Sequence, residues 1–265
     1  MSDDRLRSRE ERPRKRSVVE SRPSASFPIT GLEPSVGICR SNRVLLPKLG
    51  APSDDRADSA YRMLRTRLLH RLAQRSWSML GVTSPVPADG KTLTTINLAL
   101  SIAREASATP IIIDLDLRNP SVCRTLGVEP RRTVLDYFEG GAAAHEVFFS
   151  IGVDNLVCAG NVRRSDHASE LLGTRRLQDL LDCARSIAPN PVLLVDLSPV
   201  LSTDEALIVA PVLDALLMVV SEGATPRPSL ERATDLIAEF PLVGYVLNRS
   251  REAERSYHYG YYGNK

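Results

Sequence analysis

The chain has 265 residues, 43% apolar and 25% charged, with a net charge of +2. That supplies apolar material for one sizeable α/β core with an arm, while the near-balanced charge selects no class of partner. No run approaches the roughly 18 apolar residues of a spanning helix, and the charged start lacks a signal peptide's apolar region, so a cytoplasmic protein without a membrane span is expected.

Residues 1–55 mix arginine, acids, serine and proline, with only brief apolar stretches such as Val44-Leu45-Leu46, and are expected to be largely disordered. Arg12-Pro13-Arg14-Lys15-Arg16 reads as a solvated run diluted by Glu10 and Glu11; contact with anionic lipid or nucleic acid is the alternative. From Ser59 the pattern changes. Tyr61, Leu64, Leu68 and Leu72 recur at helical spacing, which predicts an amphipathic helix. Arg62 and Arg65, one turn apart, form either a solvated face or a subunit contact.

Ser78 to Thr83 reads as a short buried strand, and Thr92 to Ala106 carries apolar residues at a helical period. Between them lies Ser84-Pro85-Val86-Pro87-Ala88-Asp89-Gly90-Lys91-Thr92, where a phosphate-binding loop belongs. Backbone amides and the positive end of the helix can surround a polyphosphate, Lys91 can reach its outer phosphates, and the Thr92 hydroxyl can ligate Mg²⁺. The general pattern wants glycine where Pro85 stands.

Ile111-Ile112-Ile113 then ends in Asp114 and Asp116, spaced so that an extended segment turns both to one side. Val192-Leu193-Leu194-Val195 ends likewise in Asp196. Continuous apolar runs indicate strands covered on both faces of a parallel sheet, and ligands of such sheets sit beyond the strands' carboxyl ends. Any one of these acids alone reads as a cap or turn residue. Three at the edge that carries Gly-Lys-Thr suit Mg²⁺ and phosphoryl transfer.

Further strands are expected near Leu156 to Cys158, Ala215 to Val220 and Val243 to Leu247, with helices near Leu171 to Ser186 and Pro228 to Glu239. The alternation predicts a doubly wound, mostly parallel sheet. Cys39, Cys123, Cys158 and Cys183 are too widely spaced for a disulfide framework or a zinc site. The organisation is thus an arm over 1–55, a domain over 56–250 and a flexible tail over 251–265. The tail holds Tyr257, Tyr259, Tyr261 and Tyr262, four of the seven tyrosines, in a stretch with almost nothing aliphatic to bury. Such phenols are either phosphate acceptors or a sticky docking segment.

Together these motifs resemble the bacterial tyrosine kinases of capsule and exopolysaccharide export, from about Ser59 to Lys265. That family's loop reads S-P-x-P-x-x-G-K-[ST], which Ser84 to Thr92 matches without the early glycine. Its D-x-D-x-R is met by Asp114, Asp116 and Arg118, and its D-x-x-P by Asp196 and Pro199. Ser169 to Gly173, Ser202 to Ala206 and Val246 to Arg249 match as well, the last at the family's adenine-side strand end. The family's oligomerisation helix carries E-x-x-R-x-x-R, where this chain has Ser59, Arg62 and Arg65, with Asp58 as the nearest acid.

The resemblance implies a phosphate-loop NTPase fold of the deviant Walker, MinD/ParA-like class, and a MgATP-dependent protein-tyrosine autokinase. Pro87, Ala88, Asp89, Gly90, Lys91, Thr92, Thr94, Arg118 and Asn248 would surround the nucleotide, and Thr92, Asp116 and Asp196 the magnesium. Asp114 would face the incoming hydroxyl. Full deprotonation of a phenol by a carboxylate would cost about 8 kcal/mol at about 1.4 per pH unit, so the proton would leave late. Tyr257, Tyr259, Tyr261 and Tyr262 would be the acceptors, and Arg62 and Arg65 would take part in assembly. Implied partners are a membrane polysaccharide co-polymerase, further copies of the chain and a cognate tyrosine phosphatase, so that the protein lies peripheral to the inner membrane. Rival readings are a nucleotide-gated scaffold with a docking tail and a partitioning or division-site ATPase, whose signature lysine is replaced here by Val86.

Overall fold

The apolar runs become the middle of one sheet. In the computed structural model, which describes residues 55–105 and 107–250 together with Leu32 and Val44, β1 (Met79–Thr83), β2 (Thr109–Asp114) and β5 (Pro191–Asp196) lie side by side. They are flanked by β3 (Phe149–Ser150), β4 (Val157–Ala159), β6 (Ala215–Ser221) and β7 (Leu242–Asn248). The order is β3-β4-β2-β5-β1-β6-β7, parallel throughout except for the antiparallel β3–β4 pair. Period-2 alternation explains the continuous hydrophobicity. Ile111, Ile113, Leu193 and Val195 feed the core on one face. Ile112, Val192 and Leu194 feed the core on the other.

The second face is covered by α1 (Asp55–Arg75) and α2 (Lys91–Ala103), the first by α6 (Arg175–Ser186) with α7 (Glu205–Val209) and α8 (Arg227–Leu236). Leu68 and Leu72 of α1 are buried as their spacing predicts. The helix expected over Leu171 to Ser186 is two, α5 (Ala168–Leu172) and α6, because Thr174 adopts an extended backbone (φ −94°, ψ 162°) that starts a new helix. Three short helices, α3 (Val122–Leu126), α4 (Val134–Phe138) and α7, were not expected, since five residues are too few to show a period.

Val44 departs from the expectation of a disordered arm. It is 3% exposed and belongs to the cluster of Leu68, Leu72 and Leu80. The rest of residues 1–54 apart from Leu32, together with Tyr257, Tyr259, Tyr261 and Tyr262, lie outside the described residues. Substituting Val44→Asp should lower unfolding free energy by about 1–3 kcal/mol or more, the cost of an unpartnered polar group in the core. Urea denaturation indistinguishable from the parent would contradict that packing.

Candidate active site

Register brings the acids together. Asp114 and Asp196 are paired neighbours at the ends of β2 and β5, and Asp196 is also paired with Val82 of β1. Period 2 turns both carboxylates to the face of Ile112 and Leu194, which α2 covers. The loop between β1 and α2 delivers Lys91 and Thr92 to the same point. Its last turn needs Gly90, which has φ +94° and whose missing Cβ would lie 2.1 Å from Asn248 Nδ2.

One ammonium thus meets two carboxylates. Lys91 Nζ lies 2.7 Å from Asp116 Oδ2 and 3.4 Å from Asp196 Oδ2. Thr92 Oγ1 donates to Asp196 Oδ2 at 2.5 Å and is 2.8 Å from Ser121 Oγ. Asp114 and Asp196 are fully buried and Asp116 is 2% exposed. Burial opposes the charge of Lys91, but Asp196 and Asp116 outweigh it and the ammonium is held above its ordinary pKa. Burial, and then the Asp196 carboxylate, push Asp114 up to about 8. Asp196 is also raised by burial, although Lys91 pulls the other way.

Asp114 is held by backbone amides. Rather than facing an open site, its Oδ1 accepts the Asp116 N–H at 3.2 Å and its Oδ2 accepts the Ser121 and Val122 N–H groups at 3.0 Å. It anchors the turn that follows β2, and no face of it is exposed. Asp89 is likewise built into the loop, accepting from Thr225 Oγ1 at 2.7 Å and the Val86 N–H at 3.4 Å. Thr94 is buried, its amide donating to the Gly90 carbonyl, while its hydroxyl has no hydrogen-bond partner among the described residues. Pro87 and Ala88 are exposed at the loop's crest.

Asn248 and Arg249 leave the end of β7 to clasp the loop from outside. Asn248 Nδ2 donates to the Asp89 carbonyl and Arg249 Nη2 to the Ala88 carbonyl, each at 2.8 Å. Arg118 is half-exposed, its Nε donating to buried Glu205, which also accepts from Thr203 Oγ1 at 2.9 Å. Glu205, Ser121 and Thr225 were therefore missed as members of the site. Glu205 lies inside the matched Ser202 to Ala206 segment, whereas isolated Ser121 and Thr225 carry no sequence signal.

The α1 arginines differ. Arg62 is exposed and pairs with Asp58 at 3.0 Å. Arg65 is turned inward, donating to the Ser101 carbonyl and pairing with Glu105, both at 2.9 Å. Asp58 is buried and also holds Arg104.

Among the described residues no three His, Cys, Asp or Glu side chains form a ready metal cage. Hard oxygens from Thr92, Asp116 and Asp196, with excess negative charge, nevertheless suit Mg²⁺, which completes its shell with phosphates and water.

No family model matches the chain. The tyrosine-protein kinase YwqD of Bacillus subtilis is 25% identical over 207 residues, 77% of this chain and 86% of that protein. The succinoglycan biosynthesis transport protein ExoP of Rhizobium meliloti is 28% identical over 190 residues, 68% of this chain but 23% of that longer protein. The chain is thus similar in sequence to proteins named as bacterial tyrosine kinases. The kinase domain of the Escherichia coli tyrosine kinase ETK has the same fold, with a TM-score of 0.70 and 23% identity across 88% of this chain and 96% of that domain.

The raised Asp114 gives stability a sign with pH. With a folded pKa of about 8 against an ordinary 3.8, the folded chain keeps a proton that the unfolded chain has released. This contribution is fully present below the ordinary value and is lost as pH rises towards the folded one, at a slope on the order of 1 kcal/mol per unit. Urea unfolding of the nucleotide-free chain at about pH 5 and about pH 8 should show a steeper loss than in Asp114→Asn. Parallel slopes would show that Asp114 does not hold that proton.

Proposed function

We propose that the chain is a MgATP-dependent protein-tyrosine kinase whose first substrate is its own tyrosine tail, acting in exopolysaccharide or capsule production. One observation carries this reading: the phosphate-loop lysine lies 2.7 Å from Asp116 and 3.4 Å from Asp196 at the carboxyl rim of a parallel sheet. The similarity to YwqD and ExoP supports the activity and the setting.

Lys91 and the loop amides offset charge on the outer phosphates of ATP, for which Lys91 must leave Asp116. Thr92 and Asp116 would hold Mg²⁺, with Asp196 in support; bound there, the metal would supply charge neutralisation on the phosphates. Asp114 acts as a positioning residue, fixing the turn that carries Asp116 and Ser121. A loose transition state passes the phosphoryl group to the phenol oxygen and lets the phenolic proton leave late.

The tail follows β7, whose Asn248 and Arg249 already touch the loop, so it starts beside the site. Phosphates accumulating on clustered tyrosines repel one another and would disperse an oligomer. Arg62, exposed although paired with Asp58 of its own helix, would face a neighbour in such assembly through α1, whereas Arg65 is turned inward onto α2 and Glu105. The proposed partners are a membrane polysaccharide co-polymerase, which would hold the protein at the inner membrane, and a cognate tyrosine phosphatase. No helix among the described residues is long and apolar enough to cross a membrane.

Intact-mass and phosphosite analysis after incubation with MgATP should find phosphate on Tyr257, Tyr259, Tyr261 or Tyr262. Lys91→Met, with its fold checked by circular dichroism, should lower incorporation by at least about a hundredfold, as loss of a phosphate clamp does. Absence of added phosphate, even with the co-polymerase's cytoplasmic segment supplied, would overturn the kinase reading.

A further inference from the structure

A second concave site lies at the opposite, amino-terminal rim of the sheet, where the end of α1 meets the start of β7. It is a cavity of about 410 Å³ lined by Arg71, Gln74, Arg75 and Trp77, with Leu242 and Val243 among its apolar walls. That size falls in the range of small-molecule sites. None of its lining residues is acidic. Arg71 Nη1 donates to the Val243 carbonyl, which fixes one guanidinium at the wall. The Arg75 guanidinium sits over the Trp77 ring, 4.9 Å from its centroid. Neither arginine has a carboxylate partner among the described residues.

Two uncompensated guanidinium groups ask for a dianion, and an indole with aliphatic walls suits a flat ring. Arginine is the side chain best fitted to bind phosphate in a fork geometry while stacking on an aromatic surface. An aryl phosphate combines both demands. The chain itself carries four candidate aryl groups in residues 251–265. These residues leave from the far end of β7, and a strand of seven residues spans only about 20 Å. The seven residues from Arg251 to Tyr257 reach about 23 Å when extended, so each tail tyrosine can return to the cavity along the open edge of the sheet.

We propose that the Arg71, Arg75 and Trp77 cavity binds a phosphotyrosine of the chain's own tail, holding the spent acceptor away from the phosphate loop. This rests on the tail being phosphorylated, as proposed above. The recognition itself is testable without kinase activity.

Trp77 is the only tryptophan in the chain, so its emission reports on this cavity alone. The test titrates the full-length, phosphatase-treated chain with a synthetic peptide spanning Ser256 to Lys265 and phosphorylated at Tyr257. Fluorescence is read in parallel with calorimetry, because calorimetry does not depend on the indole. Saturable binding with a change in Trp77 emission is expected, weakened at least about tenfold in Arg75→Gln, whose fold is checked by its melting temperature. The unphosphorylated peptide and inorganic phosphate should each bind at least about tenfold more weakly. The proposal is overturned by no binding, by equal binding of either control, or by unchanged affinity in a folded Arg75→Gln. A chain that binds the phosphopeptide but fails to label itself with MgATP would refute the kinase reading and leave the cavity's recognition standing.

Discussion

The buried contact of Lys91 with Asp116 and Asp196 is the constraint on which the rest of the architecture turns. A parallel sheet places β2 and β5 side by side, and both end in an acid on the same face. Their mutual repulsion, in a place from which water is excluded, is tolerable only because one ammonium and one retained proton share the site. The ammonium and the proton thus offset most, but not all, of the negative charge gathered there. Polyphosphate and magnesium bring the opposite charges in the right places, so ligand binding replaces one set of ion pairs with another.

The scaffold around this cluster is arranged to hold the loop still. Asn248 and Arg249 grip its carbonyls, Thr225 grips Asp89, and Gly90 supplies the left-handed turn that lets Asn248 approach. All these contacts come from strands β6 and β7 or the loops that follow them, on the side from which the tail departs. Events at the tail and at the phosphate loop therefore share a mechanical element, β7. Its far end forms part of the Arg71 and Trp77 cavity.

Much of this was legible in the residues. The continuous apolar runs gave β2 and β5 and, with their terminal acids, the rim where Asp114, Asp116 and Asp196 meet Gly90-Lys91-Thr92. Sequence could not show how each acid is used. Two acids spaced i, i+2 look equivalent in a strand, yet β2 stops at Asp114, whose carboxylate is consumed by backbone amides of the following turn while Asp116 takes the lysine. Long-range partners were equally hidden. Glu205 joins Arg118 from another strand's loop, and Arg65 bonds α2 rather than offering itself to a neighbour. Short elements such as α3 and α4 escaped because local pattern fades below about two helical turns.

Nucleotide binding exchanges the partners of Lys91, which a crystal structure of the chain with magnesium and a non-hydrolysable ATP analogue would reveal. In that complex Lys91 Nζ should leave its 2.7 Å contact with Asp116 for phosphate oxygens, with the loop amides around them and the metal beside Thr92, Asp116 and Asp196. A complex in which the Lys91–Asp116 pair stays intact and the nucleotide lies elsewhere would contradict it.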